Sequence, residues 1–180
     1  MAIGSVCVYC GSSPGASPGY AAAARELAAE LVRRRQTLVY GGGHIGLMGI
    51  LADAVLAAGG RVVGVIPQFL VDRELAHRGL THLHITRSLH ERKALMAELA
   101  DAFVALPGGA GTLDELFEIW TWSLLGLHAK PCGLIDTDHY YSGLIAFLDQ
   151  ATGEGFVRRE HRALLRIAAH AEEMLDLLEG

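Results

Sequence analysis

Ala102-Phe103-Val104-Ala105-Leu106-Pro107-Gly108-Gly109-Ala110-Gly111-Thr112-Leu113-Asp114-Glu115 is the stretch on which the fold turns. Its first five residues are an unbroken apolar run, the pattern of a parallel strand buried on both faces. Residues 116–127 read as a helix that starts near Thr112. Between strand and helix lie three glycines, which bend tightly and let a ligand approach the backbone closely. The first N–H groups of a helix have no partner inside it, and the helix dipole makes them favourable to an anion such as phosphate. Thr112 adds a hydroxyl, and Glu115 sets a carboxylate one turn further on. A second reading fits the same residues: Thr112-x-x-Glu115 is a capping-box pattern, and Pro-Gly-Gly is an ordinary strand-to-helix turn.

Outward from this stretch, strands and helices alternate. Strands are predicted at 6–10, 37–40, 61–66, 80–86 and 132–135, with a short edge strand at 166–168. Helices are predicted at 20–34, 45–58, 89–100, 140–152, 159–165 and 171–178; in the first of these Ala24, Leu27, Ala28 and Leu31 are spaced as one buried face. Residues 68–79 are polar and irregular. The alternation implies right-handed βαβ units. The expected fold is α/β, a three-layer Rossmann-like arrangement with a mostly parallel central sheet of six to seven strands and helices on both faces. Residues 1–180 read as one nucleotide-binding domain. Ligands of such sheets sit beyond the carboxyl ends of the strands, where strand order reverses. The glycine-rich turns at 11–15, 41–43 and 108–111 should therefore open on one edge.

At 180 residues and 51% hydrophobic content the chain can bury a substantial core. A net charge of −5 provides no broad basic field for nucleic acid. No apolar run is long enough for a membrane span and the first residues lack signal-peptide character, so the expected location is the cytoplasm. Cys7-Val8-Tyr9-Cys10 matches C-x-x-C, but on a strand the two thiols point to opposite faces. Buried, reduced thiols are the expectation for these and for Cys132.

Arg92 and Lys93 interrupt an otherwise apolar stripe (Leu89, Met96, Leu99) and lie near the positive end of their helix dipole, where cations are disfavoured. A surface pair with Glu91 or Glu98 would relieve this. Because buried charge must be paired, an anion or an electron-rich ring is the favoured partner. Gly41-Gly42-Gly43 costs chain entropy, which ligand approach or tight strand–helix packing would justify. Glu74 and His77 read as a solvated loop. His82 and His84 share a strand face but lack a third ligand, so no metal site is expected. Ser12 and Ser13 lack a G-x-S-x-G elbow, and the glycines fit neither a Walker A loop nor a dinucleotide fingerprint.

Three motifs in order, Gly41-Gly42-Gly43-x-x-Gly46-Leu47-Met48-Gly49, Glu91-Arg92-Lys93 and Pro107-Gly108-Gly109-x-Gly111-Thr112-x-x-Glu115, resemble the Lonely Guy (LOG) family of cytokinin riboside 5′-monophosphate phosphoribohydrolases, often mislabelled lysine decarboxylases. The resemblance runs from the first strand to about Asp149. It implies hydrolysis of the N-glycosidic bond of an AMP-like nucleoside 5′-monophosphate to free base and ribose 5-phosphate, with no cofactor. It implies Arg92 and Glu115 as the catalytic pair, and Glu74, Lys93, residues 108–112 and Thr121 around the nucleotide; Gly42 and Gly43 join them as candidate substrate-binding positions. It also implies a dimer or larger assembly, and the nearly all-round apolar helix 116–125 suits a homodimer. Two rival functions are a general AMP phosphoribohydrolase and a non-catalytic nucleotide sensor. A pyridoxal-dependent decarboxylase is disfavoured because only Lys93 and Lys130 could form a Schiff base.

Overall fold

The chain is described from a computed structural model, which covers residues 3–73 and 75–180. Its strands are β1 (Ser5–Tyr9), β2 (Thr37–Tyr40), β3 (Val62–Pro67), β4 (His82–Thr86), β5 (Ala102–Ala105), β6 (Cys132–Ile135) and β7 (Leu165–Ala168). Its helices are α1 (Pro18–Arg33), α2 (Gly46–Ala57), α3 (Gln68–Val71), α4 (Leu89–Leu99), α5 (Ala110–Leu124), α6 (Ser142–Gly153), α7 (Arg159–Ala163) and α8 (Ala171–Glu179). The strands form a single seven-stranded sheet in the order β4-β3-β2-β1-β5-β6-β7. Every pairing is parallel, so the sheet is more uniform than the sequence pattern required.

Strand alternation distributes the core to both faces. Val6 and Val8 of β1 join a cluster with Leu27, Leu31, Leu51 and Met174, under α1, α2 and α8. Cys7 and Tyr9 join Met96, Phe103, Leu116 and Trp120, under α4 and α5. Cys7 and Cys10 thus lie in different layers, and all three cysteines are free and buried. The expected face of α1 is the buried one; Ser17 caps that helix by accepting from Gly19 N–H at 3.1 Å, with Pro18 in its first turn. In α8, Ala171, Met174, Leu175 and Leu178 are buried at helical spacing.

The differences from expectation have local causes. α5 begins at Ala110 because Gly109 takes an extended conformation (φ −94°, ψ −154°) and supplies the N-cap position. Thr112 is therefore inside the helix, and the capping box does not form. The segment 68–79 holds the four-residue α3 and a bridge between Gly43 and Ala76, both too short to leave a periodic signal. α6 starts at Ser142 because Asp138 and His139, in the preceding 3-10 turn, take left-handed conformations. The expected edge strand is present as β7, one residue longer than predicted.

Candidate active site

Strand order reverses between β1 and β5, which pair with each other and send their connections to opposite faces of the sheet. Their turns meet at this switch point. Gly11 N–H donates to Pro107 O at 3.0 Å, and Leu106 N–H to Tyr9 O at 2.9 Å. The first turn of α2, which follows the turn after β2, joins them through Met48 N–H donating to Gly11 O at 3.4 Å. Close packing leaves no room for a side chain at Gly108, and at Gly41 a side chain would have to displace Arg92. A Cβ on Gly108 would collide with Thr112 and lie 2.9 Å from Gly11 N, while one on Gly41 would collide with the Arg92 guanidinium.

A cavity of about 380 Å³ opens at this junction. One wall is the start of α5. The first intrahelical bond there is Leu113 N–H to Gly109 O at 3.1 Å, so the N–H groups of Ala110, Gly111 and Thr112 precede the helical ladder. All three residues line the cavity with Gly109. The facing wall is apolar, formed by Ile45, Met48, Ile66, Leu70 and Leu75. A larger, shallower recess of about 560 Å³ lies beside His44 and His77 and receives no residue from the β1 or β5 turns.

Arg92 and Glu115 complete the cavity lining. Arg92 Nη2 lies 3.5 Å from Glu115 Oε1, with the two side chains only 12% and 13% exposed. Arg92 also donates to Gly41 O at 3.3 Å, and its Nε is buried without an acceptor among the described residues. Glu115 is thus paired with a cation across the cavity rather than folded back onto its own helix. Burial raises the affinity of its carboxyl for a proton above the ordinary level, and Arg92 opposes this without cancelling it.

The other predicted residues scatter. Gly43 lines the cavity, and Gly42 beside it is left-handed (φ 72°). Lys93 turns away from the cavity. Its amine lies 3.0 Å from both Asp114 Oδ2 and Glu118 Oε2 of α5. Although burial disfavours its charge, these carboxylates hold its pKa above the ordinary lysine value. Thr121 is exposed on α5 and does not line the cavity. Glu74 lies outside the described residues. Ser12, Ile45, Ile66, Leu70 and Leu75 also line the cavity but carry no distinctive signal in sequence. Their neighbourhood arises only from the crossing of distant turns.

Burial pushes the Cys132 thiol up to about 12, and Cys7 and Cys10 higher still, so none of the three supplies a thiolate nucleophile. Lys130 Nζ donates to Ala97 O at 2.7 Å.

Residues 48–178 match the protein family described as "Possible lysine decarboxylase". The chain is 48% identical over 174 residues to a cytokinin riboside 5′-monophosphate phosphoribohydrolase of Arabidopsis thaliana, covering 97% of this chain and 80% of that one. It is likewise 48% identical over 169 residues to the enzyme of that name from Rhodococcoides fascians, covering 93% and 85%. The molybdenum cofactor binding protein from Rippkaea orientalis shares the fold, with a TM-score of 0.74 at 20% identity over 97% of this chain and 94% of that one.

Proposed function

Since the chain belongs to the LOG family of cytokinin riboside 5′-monophosphate phosphoribohydrolases, we propose that it hydrolyses the N-glycosidic bond of an N6-substituted adenosine 5′-monophosphate. The products are the free base, an active cytokinin, and ribose 5-phosphate. The observation that carries the assignment of roles is the nearly buried Arg92–Glu115 pair on the wall of a cavity into which the start of α5 also opens.

In this reading the 5′-phosphate sits at residues 108–112, against the N–H groups at the start of α5. It contributes binding energy from a part of the substrate that does not react. Cleavage of the bond from C1′ to the base leaves an oxocarbenium-like sugar, which the Glu115 carboxylate stabilises. The same carboxylate takes a proton from the attacking water, as carboxylates do in O-glycosidases. The water oxygen bonds to C1′, and the base departs with the bonding pair and takes up the proton that Glu115 removed from the water, which returns Glu115 to its carboxylate. Arg92 offsets the negative charge that gathers on the base. The apolar wall suits an apolar N6 group. Decarboxylation through a Schiff base is disfavoured, because Lys93 is engaged by two carboxylates and Lys130 by a backbone carbonyl.

The proposal extends to a homodimer acting in the cytoplasm. Exposed leucines at the end of α5 support the first, and three unpaired buried thiols suit a reducing compartment. No helix among the described residues is long and apolar enough to cross a membrane.

The decisive experiment measures ribose 5-phosphate release from AMP and from its N6-isopentenyl form, for wild type and Glu115→Gln. The variant is expected to lose about 10²-fold or more in kcat while retaining AMP binding by calorimetry. Unchanged turnover rules out the role given to Glu115. Equal rates on both substrates favour a general AMP hydrolase, and tight binding without product favours a sensor.

A further inference from the structure

The turn after β6 is held more firmly than a surface connection requires. Asp138 and His139 occupy the left-handed region at φ 51° and 60°, which residues bearing a Cβ seldom adopt. Asp138 Oδ2 accepts from Ser17 Oγ at 3.1 Å and occupies the space a Cβ on Gly19 would need. The Asp136 carboxylate accepts from Tyr141 N–H at 2.6 Å and from Ser142 Oγ at 3.1 Å. These anchors place Tyr140. Its ring stands edge-on to Tyr20 (centroids 5.5 Å apart, 72°) and to Tyr141 (4.8 Å, 79°). Although 44% of Tyr140 is exposed, its hydroxyl turns inward and donates to Gly108 O at 2.7 Å.

That carbonyl belongs to the same peptide unit as Gly109 N–H. The unit is planar and trans, so its C=O and N–H point in opposite directions, and holding one aims the other. It joins two glycines, the pair least able to resist rotation of the peptide plane. The neighbouring carbonyls are already held: Tyr141 Oη donates to Leu106 O at 2.8 Å, and Gly11 N–H to Pro107 O. Only at Gly108 does an exposed side chain do the holding.

We propose that Tyr140 is a positioning residue for the nucleotide phosphate: its hydroxyl fixes the Gly108–Gly109 peptide so that the entrance to α5 is set before substrate arrives. The inference rests on the reading that residues 108–112 receive the 5′-phosphate. Tyr140 touches neither the sugar nor the base in this scheme, so its contribution is specific to ligands that carry the phosphate.

The test compares AMP with adenosine by calorimetry on wild type and on Tyr140→Phe, which keeps the ring and its edge contacts. Steady-state kinetics on the nucleotide and a thermal melt accompany it. Tyr140→Phe is expected to bind AMP about five- to tenfold more weakly, the scale of one lost hydrogen bond, with adenosine affinity unchanged. KM should rise by the same factor while kcat and Tm stay near wild type. A uniform loss for both ligands, or a fall in Tm with AMP preference intact, overturns the inference by reducing Tyr140 to a packing role. If wild type prefers AMP and Tyr140→Phe prefers it equally, only the tyrosine assignment falls. If wild type itself does not distinguish AMP from adenosine, the phosphate site falls as well.

Discussion

As the proposed general base, Glu115 has to be ionised to accept a proton, and it sits where ionisation is disfavoured. Burial lifts its pKa above the ordinary 4.5, and the nearby Arg92 recovers only part of the difference. The lift makes the carboxylate a stronger base than a solvated one, as general-base catalysis requires. Two pH effects follow. In the proposed mechanism activity needs the deprotonated form, so kcat/KM should fall on the acid side through an apparent pKa above the ordinary 4.5, and this limb should vanish in Glu115→Gln with the activity. Stability moves the other way. The folded state holds this proton more tightly than the unfolded state, so the associated stabilisation is complete below the unfolded pKa and is lost as pH rises through the folded one. Glu115→Gln has no such dependence. Melting curves from about pH 4 to about pH 7, either side of the ordinary carboxylate range, should show the variant gaining in Tm relative to wild type as pH rises; a constant difference would mean the carboxyl is not perturbed. Arg92 was legible in sequence because a cation interrupts an apolar stripe at the wrong end of a helix dipole. Lys93, misplaced by the same criteria, goes elsewhere because adjacent helical residues point about a quarter-turn or more apart and do not share a face. No sequence criterion said which of the two would turn to the cavity.

Lys93 instead joins two elements. Its amine links α4 to Asp114 and Glu118 of α5, flanking Glu115 in sequence. Arg92 and Glu115 are the adjacent residues on the same two helices, so this link holds the proposed catalytic pair in register. Lys93→Ala should lower kcat by about tenfold through loss of that alignment, with KM for the nucleotide changed less than about threefold. A large rise in KM with kcat preserved would instead make Lys93 a direct ligand of the nucleotide. The start of α5 shows where reading elements from sequence stops. Strand, glycine turn and helix are all visible from residue 102 to residue 115, and the anion site proposed at the turn rests on the same residues. The starting residue is not visible, because Thr112-x-x-Glu115 satisfies the local rule for a cap. What overrides it is tertiary: Glu115 has a buried cation to face, and Gly109 can cap the helix from an extended conformation without a side chain. The hold that Tyr140 has on Gly108 was invisible for a similar reason, since it spans 32 residues and depends on two left-handed residues that no periodicity marks.

At the scale of the molecule, the parallel sheet gathers turns that are far apart in the chain. The three glycine-rich turns were expected on one edge from the βαβ alternation alone, but the placing of β1 beside β5 comes from long-range pairing that residue patterns do not encode. The same topology leaves apolar surface behind. Leu125 and Leu127, just past α5, are each 69% exposed, and Ile85 and Leu89 at the β4–α4 junction are 53% and 47% exposed. A single exposed leucine is unremarkable. Two in three residues, at the end of the helix that carries Glu115, mark a surface suited to a second copy. If that surface is the homodimer contact, light scattering at micromolar concentration should give twice the 19.2 kDa of the chain. Replacing both Leu125 and Leu127 by Asp should return the monomer mass, since two charges would have to be desolvated to keep the contact. The far-ultraviolet circular dichroism of this variant should stay unchanged, because neither side chain is in the core. A wild-type monomer removes the dimer, and a dimer that survives both substitutions moves the contact to another face.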